Sequence, residues 1–143
     1  MTTPSDDVPA LVLEDVCRIH QDGPTTITAL DHVNLTVMPG ELVAVMGPSG
    51  SGKTTLLNIA GTLDAPTSGR VFIAGNDSGY LPPTARATIR RTHVGFVFQD
   101  FNLIPTLTVL ENVSLPLELG KMPTKEARAQ GRAALEDINQ ADL

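Results

Sequence analysis

The sequence predicts an α/β fold: a strand opens into a glycine loop and a helix, with a small antiparallel β edge before it and the start of a helical subdomain after it. Three observations predict it. Leu42-Val43-Ala44-Val45-Met46 is a continuous apolar run without alternation, the pattern of a strand buried on both faces of a parallel sheet. It runs into Gly47-Pro48-Ser49-Gly50-Ser51-Gly52-Lys53-Thr54, after which Leu56, Leu57, Ile59 and Ala60 recur at helical spacing. A second run, Val94-Gly95-Phe96-Val97-Phe98, reads as another buried strand.

Element by element, residues 1–9 are expected to be a disordered tail, with Asp6 and Asp7 and no apolar stretch behind a basic flank. Residues 10–143 are expected to form one partial domain. Leu11-Val12-Leu13 with Val16, and Val33, Leu35 and Val37 alternating with Asn34 and Thr36, predict two strands forming an antiparallel edge. The second should end at Met38-Pro39-Gly40-Glu41, and Gly61 is placed to close the helix that begins near Lys53. Val71 to Ala74 reads as a strand, Asn76 to Pro83 as a loop, and Ala85 to Arg91 as a short helix. Val109 to Val113 and Lys125 to Ile138 have helical composition, with Thr124 in the N-cap position of the latter.

Composition narrows the function classes. A formal charge of −6, with Lys and Arg scattered rather than clustered, leaves no basic face for a phosphate backbone, so nucleic acid is not expected as a partner. No apolar run approaches the roughly 20 residues a spanning helix requires, so membrane association is expected only through another protein. Cys17 is the single cysteine, which excludes an internal disulfide. It reads as a buried small apolar residue, and with His20, His32 and His93 it makes no spaced Cys/His zinc motif. His32 and His93 are read as structural.

The chemistry lies in the loop. Gly47, Gly52, Lys53 and Thr54 satisfy G-x-x-x-x-G-K-[ST], between a strand and a helix as a phosphate-binding P-loop requires. Gly50 and Gly52 let the main chain curl so that its N–H groups point inward at phosphate oxygens, and the helix adds its positive end. Lys53 supplies a cation toward the β- and γ-phosphates, the Thr54 hydroxyl can ligate Mg²⁺, and Thr55 can reach a nearer phosphate; Pro48, Ser49 and Ser51 complete the loop. The expected ligand is ATP with Mg²⁺. A GTPase or small-molecule kinase is disfavoured, since neither Asn-Lys-x-Asp nor Asp-x-x-Gly occurs. Gln99 follows the second apolar run at the carboxyl end, where open α/β sheets place their ligands.

Residues 47–58, GPSGSGKTTLLN, resemble the P-loop and helix of ABC transporter ATP-binding subunits, and the resemblance extends to Pro66-Thr67-Ser68-Gly69 and to residues 94–113, VGFVFQDFNLIPTLTVLENV. It is strongest to the lipoprotein-release and macrolide-export type. The resemblance implies a P-loop ATPase in which two subunits close head to tail on ATP and drive a membrane permease, in the direction of export, from the cytoplasmic face of the membrane. Gln99 is implied to be the Q-loop residue that approaches Mg²⁺ and the attacking water. Phe101, Leu103 and Ile104 are implied either to meet the permease or to pack beneath their own loop. His20 stands where the family has an aromatic residue stacking on adenine, so it is either an adenine contact or a plain surface histidine.

The family's signature, Walker B carboxylates and switch histidine fall beyond the position of Leu143, and no Ser-Gly-Gly occurs. The sequence is therefore expected to be the amino-terminal part of a longer ATPase with an uncovered sheet edge. Autonomous turnover is not expected. The alternative reading is a non-catalytic remnant that binds nucleotide or docks on a permease.

Overall fold

The computed structural model describes residues 8–138, so all of the expected tail except Val8 and Pro9 lies outside the described residues. The chain divides between Gly95 and Phe96 into two compact units.

The first unit is built on a hairpin of β1 (Leu11–Asp22) and β2 (Thr25–Val37), rich in the Val, Ile and Thr that suit a pleated surface. Gly23, at φ 58°, starts the tight turn between them. The expected alternation holds in β2, where Val33, Leu35 and Val37 are half-buried between exposed Asn34 and Thr36. In β1 it breaks, because the consecutive residues Val16 and Cys17 are both buried. Strict alternation cannot place neighbours on one face, and register shifts on either side of Val16 relieve the conflict. Asp15 takes the extra turn at φ 53°, its N–H donating to Asn34 Oδ1 at 2.9 Å.

β3 (Ser68–Ile73) joins the other edge of β1, and the two-residue β4 (Asn76–Asp77), within the expected loop, joins β3, giving an antiparallel sheet in the order β2-β1-β3-β4. Helix α1 (Lys53–Ala60) places Ile59 in a core of Leu13, Val16, Leu30 and Val71, bordered by Leu11, Val33, Leu35 and Leu56. Gly61 closes the helix as expected, its N–H donating to Leu57 O at 2.8 Å. Arg18 fastens the segment after α1 to β1 through Asp64, at 2.8 Å, and the carbonyl of Ala65, at 2.9 Å. Helix α2 (Pro83–His93) starts on a proline at its first position and ends on Arg90, Arg91 and His93, which suit the negative end of its dipole. Arg90 Nη1 reaches Thr62 O at 2.7 Å and ties α2 to the end of α1.

Two expected strands are corrected. Residues 42–46 form no ladder, and Leu42 and Met46 are 96% and 88% exposed; residues 94–98 likewise have no strand, with Val97 fully exposed. A strand buried on both faces exists only where neighbouring strands take its N–H and C=O groups and helices cover it. Among the described residues neither segment has such neighbours.

The second unit packs α3 (Val109–Leu119) against α4 (Thr124–Asp137). Thr108 and Glu111 form a reciprocal capping box at the start of α3. The Asn112 side chain holds the preceding turn, accepting from Ile104 N at 2.8 Å and donating to Ile104 O and Leu107 O. Small residues set the helix approach, with Ser114 facing Gly131 and buried Ala127 and Leu135 completing the seam. Thr124 is not the N-cap of α4 but its first helical residue. The cap is Pro123, whose extended backbone turns its carbonyl to accept from Glu126 N and Ala127 N.

Candidate functional site

Between Met46 and α1 the main chain curls through three glycines of positive φ: Gly47 at 156°, Gly50 at 80° and Gly52 at 87°. Gly52 is the cap of α1 and passes so close under β2 that a Cβ on it would collide with the carbonyl oxygen of Ala29 and touch Leu30. Only glycine meets both the left-handed backbone and the lack of space. The N–H groups of Lys53 and Thr54 belong to the open first turn, where no carbonyl lies four residues back within the helix.

The Lys53 side chain folds back into the loop, its ammonium donating to the carbonyl oxygens of Pro48 at 2.6 Å and Gly47 at 2.9 Å, with Ser51 Oγ at 3.4 Å. These contacts hold the cation over the concave side of the curl. A cavity of about 550 Å³ opens there, lined by Ser49, Gly50, Gly52, Lys53, Thr54 and Thr55 from the loop and by Ile27, Thr28 and Ala29 from β2. One cation, three hydroxyls and main-chain amides at a helix N-terminus on one side, faced by a strand on the other, make a cradle for a polyphosphate.

The structure thus brings Ser49, Gly50, Gly52, Lys53, Thr54 and Thr55 to one cavity, with Gly47, Pro48 and Ser51 bracing the lysine. His20 is not among the lining residues. It is exposed on β1 and pairs in register with Ile27, which is. Ile27, Thr28 and Ala29 were not singled out from the sequence. Their residue types carry no phosphate-binding signal, and only the approach of β2 to Gly52 places them at the cavity.

Gln99 lies in the second unit, exposed, in the irregular segment before α3. There Phe96, Val97, Phe98, Gln99, Asp100 and Phe101 line a concavity of their own, with the rings of Phe96 and Phe98 stacked at 5.3 Å. Phe101, Leu103 and Ile104 are exposed rather than packed beneath the loop.

A further group of side chains, absent from the sequence reading, assembles on the hairpin. Cys17 is buried as expected, but its sulfur lies within 4.8 Å of both the His32 ring and the Asp31 carboxylate. The Asp15 carboxylate bonds to His32 Nδ1 at 2.7 Å; that bond, with the charges of Asp15 and Asp31, raises the His32 pKa above 6.5.

Fold and loop together define a partial P-loop NTPase core. Residues 30–143 match the sequence profile of the ABC transporter family. An ATP-binding protein of Methanocaldococcus jannaschii, MJ0796, is 46% identical over 131 residues, 92% of this chain and 56% of that protein. The lipoprotein-releasing system ATP-binding protein LolD of Bordetella pertussis is 41% identical over 99% of this chain and 61% of its own length. The macrolide export ATP-binding/permease protein MacB of Brucella abortus is 43% identical over 94% of this chain and 21% of its own length. A solved dimer of the MJ0796 cassette bound to ADP and Pi superposes with a TM-score of 0.78 at 46% identity, covering 88% of this chain and 56% of that one. The chain belongs to the ABC transporter family, and spans about half the length of the stand-alone ATP-binding relatives it matches.

Proposed function

We propose that this chain is the nucleotide-binding portion of an ABC transporter ATPase that takes Mg-ATP on the loop 47–55 and serves a membrane permease in export. The observation that carries this reading is the tethering of Lys53 by the carbonyls of Gly47 and Pro48 beside the open first turn of α1. A triphosphate entering the cavity would meet the amides of that open turn and would draw the lysine's donors from the loop carbonyls to its own oxygens. The Thr54 hydroxyl would hold the metal, and it is the family resemblance that supports Gln99 as a metal contact. Mg²⁺, when bound, neutralises charge on the β- and γ-phosphates. His20, beside Ile27, is the group for the adenine face.

LolD and MacB are named for lipoprotein release and macrolide export, which supports a permease as partner, and the dimer of the MJ0796 cassette supports a second ATP-binding subunit facing this one. Among the described residues no helix is long and apolar enough to cross a membrane, in keeping with attachment to the inner membrane face through the permease. Exposed Phe101, Leu103 and Ile104 are the surface offered to it. The exposed run Leu42–Met46 favours a second reading, in which these residues alone bind nucleotide or permease without turnover.

The test is titration of the chain with a fluorescent ATP analogue in Mg²⁺, with ATP and GTP as competitors. Mg-dependent binding, displaced by ATP in preference to GTP and weakened at least about tenfold (~1.4 kcal/mol) by Lys53→Ala, is expected. Binding indifferent to Lys53 would overturn the reading. Capture of a permease fragment, compared with a Phe101→Ala/Leu103→Ala variant, tests docking. Mg-dependent hydrolysis by the chain, abolished by Lys53→Ala, would refute the second reading.

A further inference from the structure

We propose that Cys17, Asp31 and His32 form a binding site for a thiophilic divalent transition-metal ion such as Zn²⁺, with Asp15 as the carboxylate that orients the histidine. Thiolate, imidazole and carboxylate are the three donor types that zinc combines. Cys17 Sγ, a ring nitrogen of His32 and a carboxylate oxygen of Asp31 all lie within 4.8 Å of one another. With bonds of about 2.0–2.3 Å at tetrahedral angles, ligand atoms stand about 3.3–3.8 Å apart. His32 Nε2 and Asp31 Oδ1 are already 3.8 Å apart. The other separations, none above 4.8 Å, exceed that spacing by at most about 1 Å.

The groups around these donors are arranged as a metal would need them. Asp15 Oδ1 engages His32 Nδ1 at 2.7 Å, which leaves Nε2, the nitrogen on the Asp31 side, free for an ion. A carboxylate on the far nitrogen of a ligating histidine fixes its tautomer and raises its basicity. The main-chain N–H of His32 donates to Cys17 Sγ at 3.2 Å and holds the sulfur beside residue 32. Both Asp15 and His32 hold left-handed backbones, at φ 53° and 49°, and the bulges that impose these conformations bring Cys17 of β1 opposite residues 31–32 of β2. The buried sulfur and the exposed Asp31 and His32 leave the outer side of the site for water as a fourth ligand. Thiolate and Asp31 together balance a divalent charge.

The single cysteine makes the test specific. The full chain, stripped of metal and held in excess Mg²⁺ so that the phosphate loop is not a competing site, is titrated with Co²⁺. The expected result is a sulfur-to-cobalt charge-transfer absorption saturating at one cobalt per chain and bleached by Zn²⁺. It should disappear in Cys17→Ser and in His32→Gln, and Asp31→Asn should weaken cobalt binding. Asp15→Asn should lower affinity about tenfold to a hundredfold without removing the band, the usual effect of losing an orienting carboxylate. His93→Gln should leave the cobalt titration unchanged. Absence of the band in the native chain, or a band that survives His32→Gln and Asp31→Asn, would overturn the proposal and leave an ordinary Asp–His pair. Asp31 and His32 are exposed, so these two variants remain informative even if Cys17→Ser fails to fold.

Discussion

Gly52 and Ala29 pack main chain against main chain: the cap of α1 lies directly under the carbonyl of Ala29 in β2, with no room for a methyl group between them. This contact joins the phosphate loop to the hairpin, and both residues line the cavity. Gly52→Ala should combine a left-handed backbone penalty of about 1–2 kcal/mol with overpacking of about 1–3 kcal/mol. Gly50, at φ 80° with nothing around it, should carry only the first cost. Urea unfolding of the two variants checks this, and equal losses would mean that the Ala29 contact carries no weight.

The orientation of α1 decides which of its apolar residues stabilises the fold. Ile59 is 1% exposed within the core, whereas Leu57 on the same helix is 55% exposed. Ile59→Ala should cost about 2–5 kcal/mol and Leu57→Ala about 0.5 kcal/mol or less. Thermal and urea denaturation of both would show whether α1 lies on the sheet as described.

In the second unit, a Cβ on Gly131 would stand 3.3 Å from Leu110 Cδ1 and 3.4 Å from Ser114 Cβ. For Gly131→Ala the crowding is offset by a gain of about 1 kcal/mol in helix propensity, so stability should change little. Gly131→Leu has no room and should lose about 1–3 kcal/mol. Hydrogen exchange along α3 and α4 would report the loss as faster exchange in both helices.

Glu111 supplies the pH dependence. The backbone N–H of Thr108, then its hydroxyl, and lastly the charge of Arg128 hold the Glu111 carboxyl below its ordinary value of 4.5. A carboxylate with a depressed pKa stabilises the fold above its unfolded pKa, and that contribution is lost as pH falls through the folded pKa. The melting temperature of the native chain should therefore exceed that of Glu111→Gln at pH 7, and the difference should shrink as the solution is made more acidic than about pH 4.5. A gap that stays constant on acidification would refute the capping role.

Local pattern by itself determined a good part of this protein. The alternation in residues 33–37, the helical recurrence of Leu56 and Ile59, the closing Gly61 and the spacing of Gly47, Gly52, Lys53 and Thr54 depend on contacts within a few residues, and their elements formed as read. So did the helices after Ala85, Val109 and Lys125, with Thr124 misplaced by one position because Pro123 already had the extended backbone of a cap. The runs 42–46 and 94–98 were misread for the opposite reason. Their hydrophobicity states that they prefer burial, but hydrogen-bonded neighbours make a strand, and those are not a property of the segment.

Only the tertiary structure decided what stands opposite what. The bulges of the hairpin set its register, and register placed Asp15, Cys17, Asp31 and His32 together although no spacing in the sequence joins them. The same pairing brought Ile27, Thr28 and Ala29 over the phosphate loop. A one-residue slip of either strand would turn these side chains to the other face, so the P-loop is written in consecutive residues while both its far wall and the cysteine cluster depend on how two distant segments meet.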